Sequence, residues 1–206
     1  FSQGQTTSEV SLSEFLSRPV IISGHEWSVG ETFTDFSSPW ASFFNHPAIA
    51  RKTANFNLLR CKLMVKVVIN GTPQHYGRVI CTYAPYNDLR QLPDLADIIG
   101  DEAYRMQQSQ RPHIFLDPST SEGGCMCLPF MCVDNWIHPW DIDDMTTFGE
   151  FRVSALTPLR QVAGGTHPVT ITIFAWAEDV EISGPTLNIS PILNDLNSPQ
   201  AADEYG

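Results

Sequence analysis

The sequence lacks any apolar run approaching the roughly 18 residues that a membrane-spanning helix needs, so it gives no helical membrane span. Its opening residues, Phe1 to Glu14, are polar and lack the basic-then-apolar layout of a signal peptide. The first residue is not Met, which is read as processing from a longer precursor, although trimming would look the same. Basic residues are scarce: 12 Lys and Arg stand against 23 Asp and Glu, for a net charge of −11. Through Arg111 ten basic residues balance ten acidic ones; from Pro112 onward only Arg152 and Arg160 oppose thirteen acids. A surface of that sign repels phosphate and cannot supply the counterion-release term behind nucleic-acid affinity. Little direct nucleic-acid binding is expected of the domain.

Cysteine is also sparse. Cys61, Cys81, Cys125, Cys127 and Cys132 are an odd number without the spacing of a disulfide framework. Three of them sit in runs that read as strands, where a free thiol packs as a small hydrophobe, so buried, idle thiols and a reducing site of folding are expected. Catalytic motifs are missing: there is no Gly-x-Ser-x-Gly, no His-Glu-x-x-His and no phosphate-binding glycine loop. His25, His46, His75, His113, His138 and His167 are scattered, without the clustering of a metal site. Cys125-x-Cys127 with Cys132 resembles a ligand set loosely, but alternation on one strand face explains that spacing. Neither an enzyme nor a cofactor is indicated. Asp141, Asp143 and Asp144 beside Trp140 form the densest acidic cluster. They could hold calcium through oxygen ligands, or cap the irregular segment before Gly149, the favoured reading.

What is present is a succession of short apolar runs with turn signals between them, and no repeats. Strands are expected at Pro19 to Ser23, Trp27 to Phe36, Asn57 to Ile69, Gly77 to Tyr83, Pro112 to Leu116, Cys125 to Cys132, Gly149 to Leu156 and Val169 to Ile182. The clearest is Asn57 to Ile69, where Leu59, Cys61, Leu63, Val65, Val67 and Ile69 share one face at period two. The opposite face carries Arg60, Lys62 and Lys66, which could meet phosphate but more simply stand at a solvated or subunit-facing surface. Asn70-Gly71 offers the positive φ of a tight reversal toward Gly77 to Tyr83. Two short helices interrupt the strands. One starts at Ser38-Pro39 and carries Trp40, Phe43 and Phe44; the other follows Pro93, with Leu95, Ile98, Ile99, Ala103 and Met106 on one stripe. The Ser/Thr/Gln-rich residues 1–18 read as an arm without a core of its own, and 184–206 as a tail broken by Pro. The chain is therefore all-β: an eight-stranded antiparallel jelly-roll sandwich over 19–183, with two short helices in its connections.

Large rings outside the central strands suggest contact with other chains. Phe1, Leu12, Phe15, Trp40, Phe43, Phe44, Trp136 and Trp140 are the candidates for a subunit interface. Asn70-Gly71-Thr72 and Asn188-Ile189-Ser190 match the glycosylation pattern, but read as a turn and a tail.

The run Asn55-Phe56-Asn57-Leu58-Leu59-Arg60-Cys61-Lys62-Leu63 leads through Ile69-Asn70-Gly71-Thr72-Pro73 and His75-Tyr76-Gly77-Arg78 to Tyr83-Ala84-Pro85. It resembles the central strands of picornavirus-like capsid proteins. Arg111-Pro112-His113-Ile114, Leu116-Asp117-Pro118 and Gly123-Gly124-Cys125 through Pro129-Phe130 resemble the next strand pair. Asn70, Gly71, Gly77, Tyr83, Pro85, Pro112, Asp117, Pro118, Gly124 and Pro129 are the structural residues of that likeness, which covers about residues 15 to 182. Leu16-Ser17-Arg18-Pro19 and Asp203-Glu204-Tyr205-Gly206 are similar to segments of dicistrovirus and marnavirus precursors; the tail points to the second of three coat proteins, with the third as the main alternative. The Asp-Asp-Phe motif of some relatives has only Asp143-Asp144-Met145 as its match here, so its cleavage role is not carried over.

The resemblance implies strands labelled B to I, with Asn57 to Ile69 as D and Gly77 to Tyr83 as E. It implies a coat subunit that joins copies of itself and two sibling capsid proteins in a pseudo-T=3 shell around single-stranded RNA. A small internal capsid protein and a host receptor are further partners it allows, with assembly in the host cytoplasm. Phe1 to Ser17 would exchange contacts with neighbours. The rival readings are a ligand- or glycan-binding jelly roll, or a cupin-like enzyme, which would need inward His and Glu that are missing.

Overall fold

The computed structural model describes residues 11–85, 106–132 and 134–185. Ten strands are seen: β1 (Val20–Trp27), β2 (Thr34–Ser37), β3 (Phe56–Asn70), β4 (His75–Tyr76), β5 (Val79–Pro85), β6 (His113–Leu116), β7 (Gly124–Leu128), β8 (Gly149–Ala155), β9 (Arg160–Gln161) and β10 (Val169–Pro185). Among the described residues they are accompanied by the helices α1 (Leu12–Leu16), α2 (Pro39–Phe44), α3 (Pro47–Thr53) and α4 (Ile142–Thr147). One four-stranded sheet runs β1-β10-β3-β7 and the other β2-β8-β5-β6, while β4 and β9 form a small ribbon. All the strand pairs are antiparallel. Nearly every connection crosses between the sheets; this is the jelly roll that the spacing of the apolar runs predicts.

Alternation builds the core. In β3 the residues Leu59 through Ile69 at period two are buried, while Arg60, Lys62 and Lys66 are exposed. β10 pairs with β3 along nearly its whole length and turns Val169, Ile171, Ile173, Ala175 and Ala177 inward. Facing them are Val79, Cys81 and Tyr83 of β5 with Phe151, Val153 and Ala155 of β8. Removing each of these aliphatic side chains from water is worth about 1.5–3 kcal/mol, so the two inner faces dominate the stability.

Several expectations are corrected. Trp27 to Phe36 is not one strand. The chain turns after Trp27, with Gly30 at φ +89°. Gly30 donates its N–H to the Leu159 carbonyl (2.7 Å) and the Trp27 indole donates to the Glu31 carbonyl (2.8 Å). The run from Cys125 ends at Leu128, because Pro129 cannot continue the ladder. β10 runs three residues beyond the expected Ile182, to the Gly184-Pro185 pair itself, where Pro185 partners Phe56. Residues 1–18 are not wholly without core contact. Ser11 caps α1 by accepting the Glu14 N–H, and Leu16 of that helix is buried. The segment before Gly149 is not irregular but carries α4. α3, the ribbon strands β4 and β9 and the 3₁₀ turn Val162–Gly164 left no clear sequence signal. Most of the helix expected after Pro93 lies outside the described residues. Its last member, Met106, sits in a helical turn at 106–109 and is exposed rather than packed.

Asn70-Gly71 does not make a hairpin, since β3 and β5 belong to opposite sheets. Gly71 is not among the positive-φ residues. Its role is closeness: a Cβ there would overlap the backbone carbonyl of Pro118. The Ser121 hydroxyl donates to the Gly71 carbonyl (2.8 Å), and the Gly71 N–H points back to the same oxygen (3.2 Å). Two segments 50 residues apart in sequence are thereby fastened. Gly71→Ala is expected to cost about 1–3 kcal/mol, lowering the melting temperature by several degrees. Gly24→Ala, whose Cβ would meet only Ile171 at 3.9 Å, should stay within about 0.5 kcal/mol of wild type. Equal melting temperatures for the two variants would refute the close-approach account.

Candidate functional site

The aromatic residues proposed for subunit contact divide sharply once the fold is known. Trp40, Phe43 and Phe44 are each 0% exposed, so they cannot touch a neighbour. α2 presents them to the core: Trp40 meets Phe130 and Phe148, and Phe43 meets the ring of Phe44. The Trp40 indole donates to the Tyr83 hydroxyl (3.1 Å), which donates onward to the Phe148 carbonyl (3.2 Å). Ser38 places no side-chain cap on α2; its hydroxyl instead reaches the Met145 carbonyl of α4 (3.3 Å). These rings plug one end of the sandwich. Tyr83→Phe would strand a buried indole N–H and a buried carbonyl, costing about 1–3 kcal/mol; chemical denaturation measures it, and an unchanged midpoint would contradict the network.

Leu12 and Phe15 of α1 are half-buried against the chain's own core, and Arg18 and Lys52 lie over the Phe15 ring. Trp136 is half-buried. Trp140 is exposed, with its indole donating to the Asn57 side chain (3.3 Å) beside the His138 ring. Phe1 lies outside the described residues. The exposed rings that alternation did not single out are Phe36, Tyr76 and Phe115. Phe36 carries the Arg152 guanidinium at 4.0 Å and Phe115 that of Arg78 at 4.6 Å.

The residues of the family likeness gather at the loop ends. Gly77 gives room to the Trp27 ring, Gly124 to Ile114, and Gly149 to Tyr83. Asn70 ends β3, exposed beside Gly71. Asp117 accepts the Ser119 N–H (2.9 Å) and hydroxyl (2.7 Å), shaping the turn at Pro118. The Pro112 carbonyl accepts the Tyr83 N–H (3.3 Å), and Pro85 closes the β5–β8 ladder opposite Gly149. His75, buried, takes the Thr72 N–H at Nδ1 (3.1 Å) and reaches the His167 carbonyl through Nε2 (3.0 Å). Pro129 borders a polar cleft of about 730 Å³ lined with Arg60, Lys62, Phe130, Asp179 and Glu181.

Asp141 precedes α4 and Asp143 is exposed in its first turn, where acidic groups suit the helix dipole; Asp144 follows in the same turn. Among the described residues no three His, Cys, Asp or Glu are grouped to hold a metal, and no described helix is long and apolar enough to cross a membrane. The thiols separate into two classes. Cys61 and Cys81 face the core, and burial pushes each pKa up to about 12. Cys125 and Cys127 are exposed, against expectation, because β7 turns Met126 and Leu128 inward. Partial burial raises the Cys125 thiol pKa as well, partly offset by Lys66.

A family model described as picornavirus capsid protein matches residues 3–137. The chain belongs to the picornavirus capsid protein family. A chain in the structure of a marine algae virus of the order Picornavirales is similar to it, with 37% identity and a TM-score of 0.75 over 90% of this chain and 79% of that one. The chain is 26% identical over 179 residues to the structural polyprotein of cricket paralysis virus, and 23% over 202 residues to that of acute bee paralysis virus. It covers 85% and 87% of itself in these matches but spans only 19% and 22% of the polyproteins. Within the capsid fold, β1, β2, β3, β5, β6, β7, β8 and β10 take the places of strands B to I, so β3 is D and β5 is E.

The thiol classes of this capsid protein are testable. Under native conditions Cys125 and Cys127 should react with a thiol reagent at once, and Cys61 and Cys81 only on unfolding, as peptide mapping would show. The two buried thiols keep their protons when the unfolded chain loses its own. Their contribution is therefore intact below the ordinary thiol range and is lost as pH rises from about 9 toward 12. Rapid native labelling of Cys61 would overturn the assignment.

Proposed function

We propose that this chain is a structural subunit of the shell of a small icosahedral positive-sense RNA virus and carries out no catalysis. It would assemble with copies of itself and two sibling jelly-roll proteins, as the second of the three coat proteins, in a pseudo-T=3 arrangement that encloses the genome. The observation that carries the reading is the strand order β1-β10-β3-β7 over β2-β8-β5-β6 in a chain that matches the picornavirus capsid protein family over residues 3–137 and a chain of a marine algae virus structure at 37% identity over 90% of its length. A rigid sandwich with its rings locked inside suits a load-bearing wedge, and closed symmetry lets one set of interfaces serve every copy. The exposed apolar side chains Phe36, Tyr76, Phe115, Trp140 and Val162 replace Trp40, Phe43 and Phe44 as the candidate contacts. Residues 1–10, which precede α1, are the part of the arm proposed to reach neighbouring subunits. The small internal capsid protein and a host receptor complete the expected partners, with the virion as the final location and the host cytoplasm as the place of assembly.

Sedimentation of native material through a sucrose gradient with nuclease tests this. The chain should travel in particles that protect RNA. If it stays at the top as a monomer or trimer with its siblings present, the likeness extends to fold alone, and glycan and ligand screens become the next step.

A further inference from the structure

On the outward face of the β1-β10-β3-β7 sheet the fold sets two aromatic side chains of β10 beside the cations of β3. On β3, Arg60, Lys62 and Lys66 are exposed and in line, with half-buried Met64 between them. Alternate residues of a strand stand about 6.6 Å apart, close to the step between phosphates in an extended single strand. The neighbouring strand lies about 4.8 Å away and turns Phe174 and Trp176 to the same face, both partly exposed. The register sets Phe174 beside Lys66 and Trp176 beside Met64. Across the sheet, exposed Ile21 flanks Phe174, while Cys125 and Cys127 flank Lys66 and Met64. Among the described residues Lys66 has no carboxylate within salt-bridge reach.

We propose that this face is a contact for single-stranded nucleic acid, with phosphates along Arg60, Lys62 and Lys66 and bases stacked against Phe174 and Trp176. Stacking on aromatic side chains beside a line of cations is how sequence-tolerant single-strand binding works. Acidic groups share the surface. Asp179 is held by Lys62 at 2.6 Å, Glu178 accepts the Trp176 indole N–H at 2.9 Å, and Glu181 lies opposite Arg60. They neutralise much of the local charge, so each copy binds weakly and the strength comes from many copies holding one strand. This is compatible with the acidity of the whole chain, because the cations are concentrated on one strand face. The inference rests on the shell reading, since that reading puts a single-stranded genome against the subunit.

The test is fluorescence anisotropy of the 206-residue chain with a short labelled oligouridylate, titrated with salt. Binding at low salt should weaken with a log–log slope between about −0.7, from Lys66 alone, and about −2, if all three cations release counterions. Lys66→Glu and Trp176→Ala should each reduce affinity about tenfold, and Trp176→Phe should retain most of it. Arg160→Glu makes the same charge change on β9 and should stay within about twofold. Lys66 is exposed, so its variant folds, and thermal melting confirms this for each protein. Absence of binding at low salt, or equal losses in Lys66→Glu and Arg160→Glu, overturns the proposal. So does a complex with a sibling capsid chain that Lys66→Glu breaks while oligouridylate stays unbound, which would make the face a protein interface. Sedimentation reports on the shell reading separately: particles that form normally alongside a failed titration retain the coat role and remove only this contact.

Discussion

Because β3 and β10 pair from Phe56 and Pro185 at one end to Asn70 and Thr170 at the other, alternate residues of the two longest strands are forced onto a common plane. That plane is the floor of the core, and the other elements are placed by reference to it. β1 and β7 extend it on either side, α1 docks on β10 where β1 has ended, and the β2-β8-β5-β6 sheet closes over it. The ladder tolerates one irregularity, between Glu178 and Glu181, where Asp179 takes φ +51°. A bulge of this kind increases twist and re-aims side chains; here it turns Asp179 to Lys62 and shapes the edge of the polar cleft.

The ends of the sandwich pose a separate problem, since two stacked sheets leave open mouths. One mouth is filled by the α2 rings and sealed by the Trp40–Tyr83–Phe148 chain of hydrogen bonds. At the loops, the solution is close approach. Gly71 against Pro118, Gly77 against Trp27 and Gly149 against Tyr83 allow contacts that any side chain would block. His75 joins the segment after β3 to the His167 carbonyl ahead of β10, again across a long stretch of sequence. These fastenings make the loops rigid features, which suits the proposed role of a subunit that meets its neighbours in fixed geometry.

In the proposed coat role, function is distributed over surfaces. A line of cations persists in a net acidic chain because alternation puts Arg60, Lys62 and Lys66 of β3 on one face, with Glu178 and Glu181 paired beside them on β10, so the total charge does not describe the potential over any single patch. The exposed thiols Cys125 and Cys127 belong to the same outward face as Lys66. Cysteine is among the residue types most often buried, so their exposure in a single chain fits a surface that is covered in the assembled state.

The sequence by itself determined most of the long strands, the shared face of Leu59 through Ile69, and the family, because period-two alternation and a long ordered string of motifs are local signals. It also identified Gly71, Gly77 and Gly124 as structurally special, though for Gly71 it attached the wrong reason. Only the tertiary structure decided which large rings are interior, since Trp40 in a six-residue helix carries no local mark of what will cover it. The same holds for Leu16 of α1, for the exposed thiols and for the neighbours of Lys66. Each depends on which distant strand arrives alongside, and that choice is made by the long-range pairing of β10 with both β1 and β3, which no window along the chain contains.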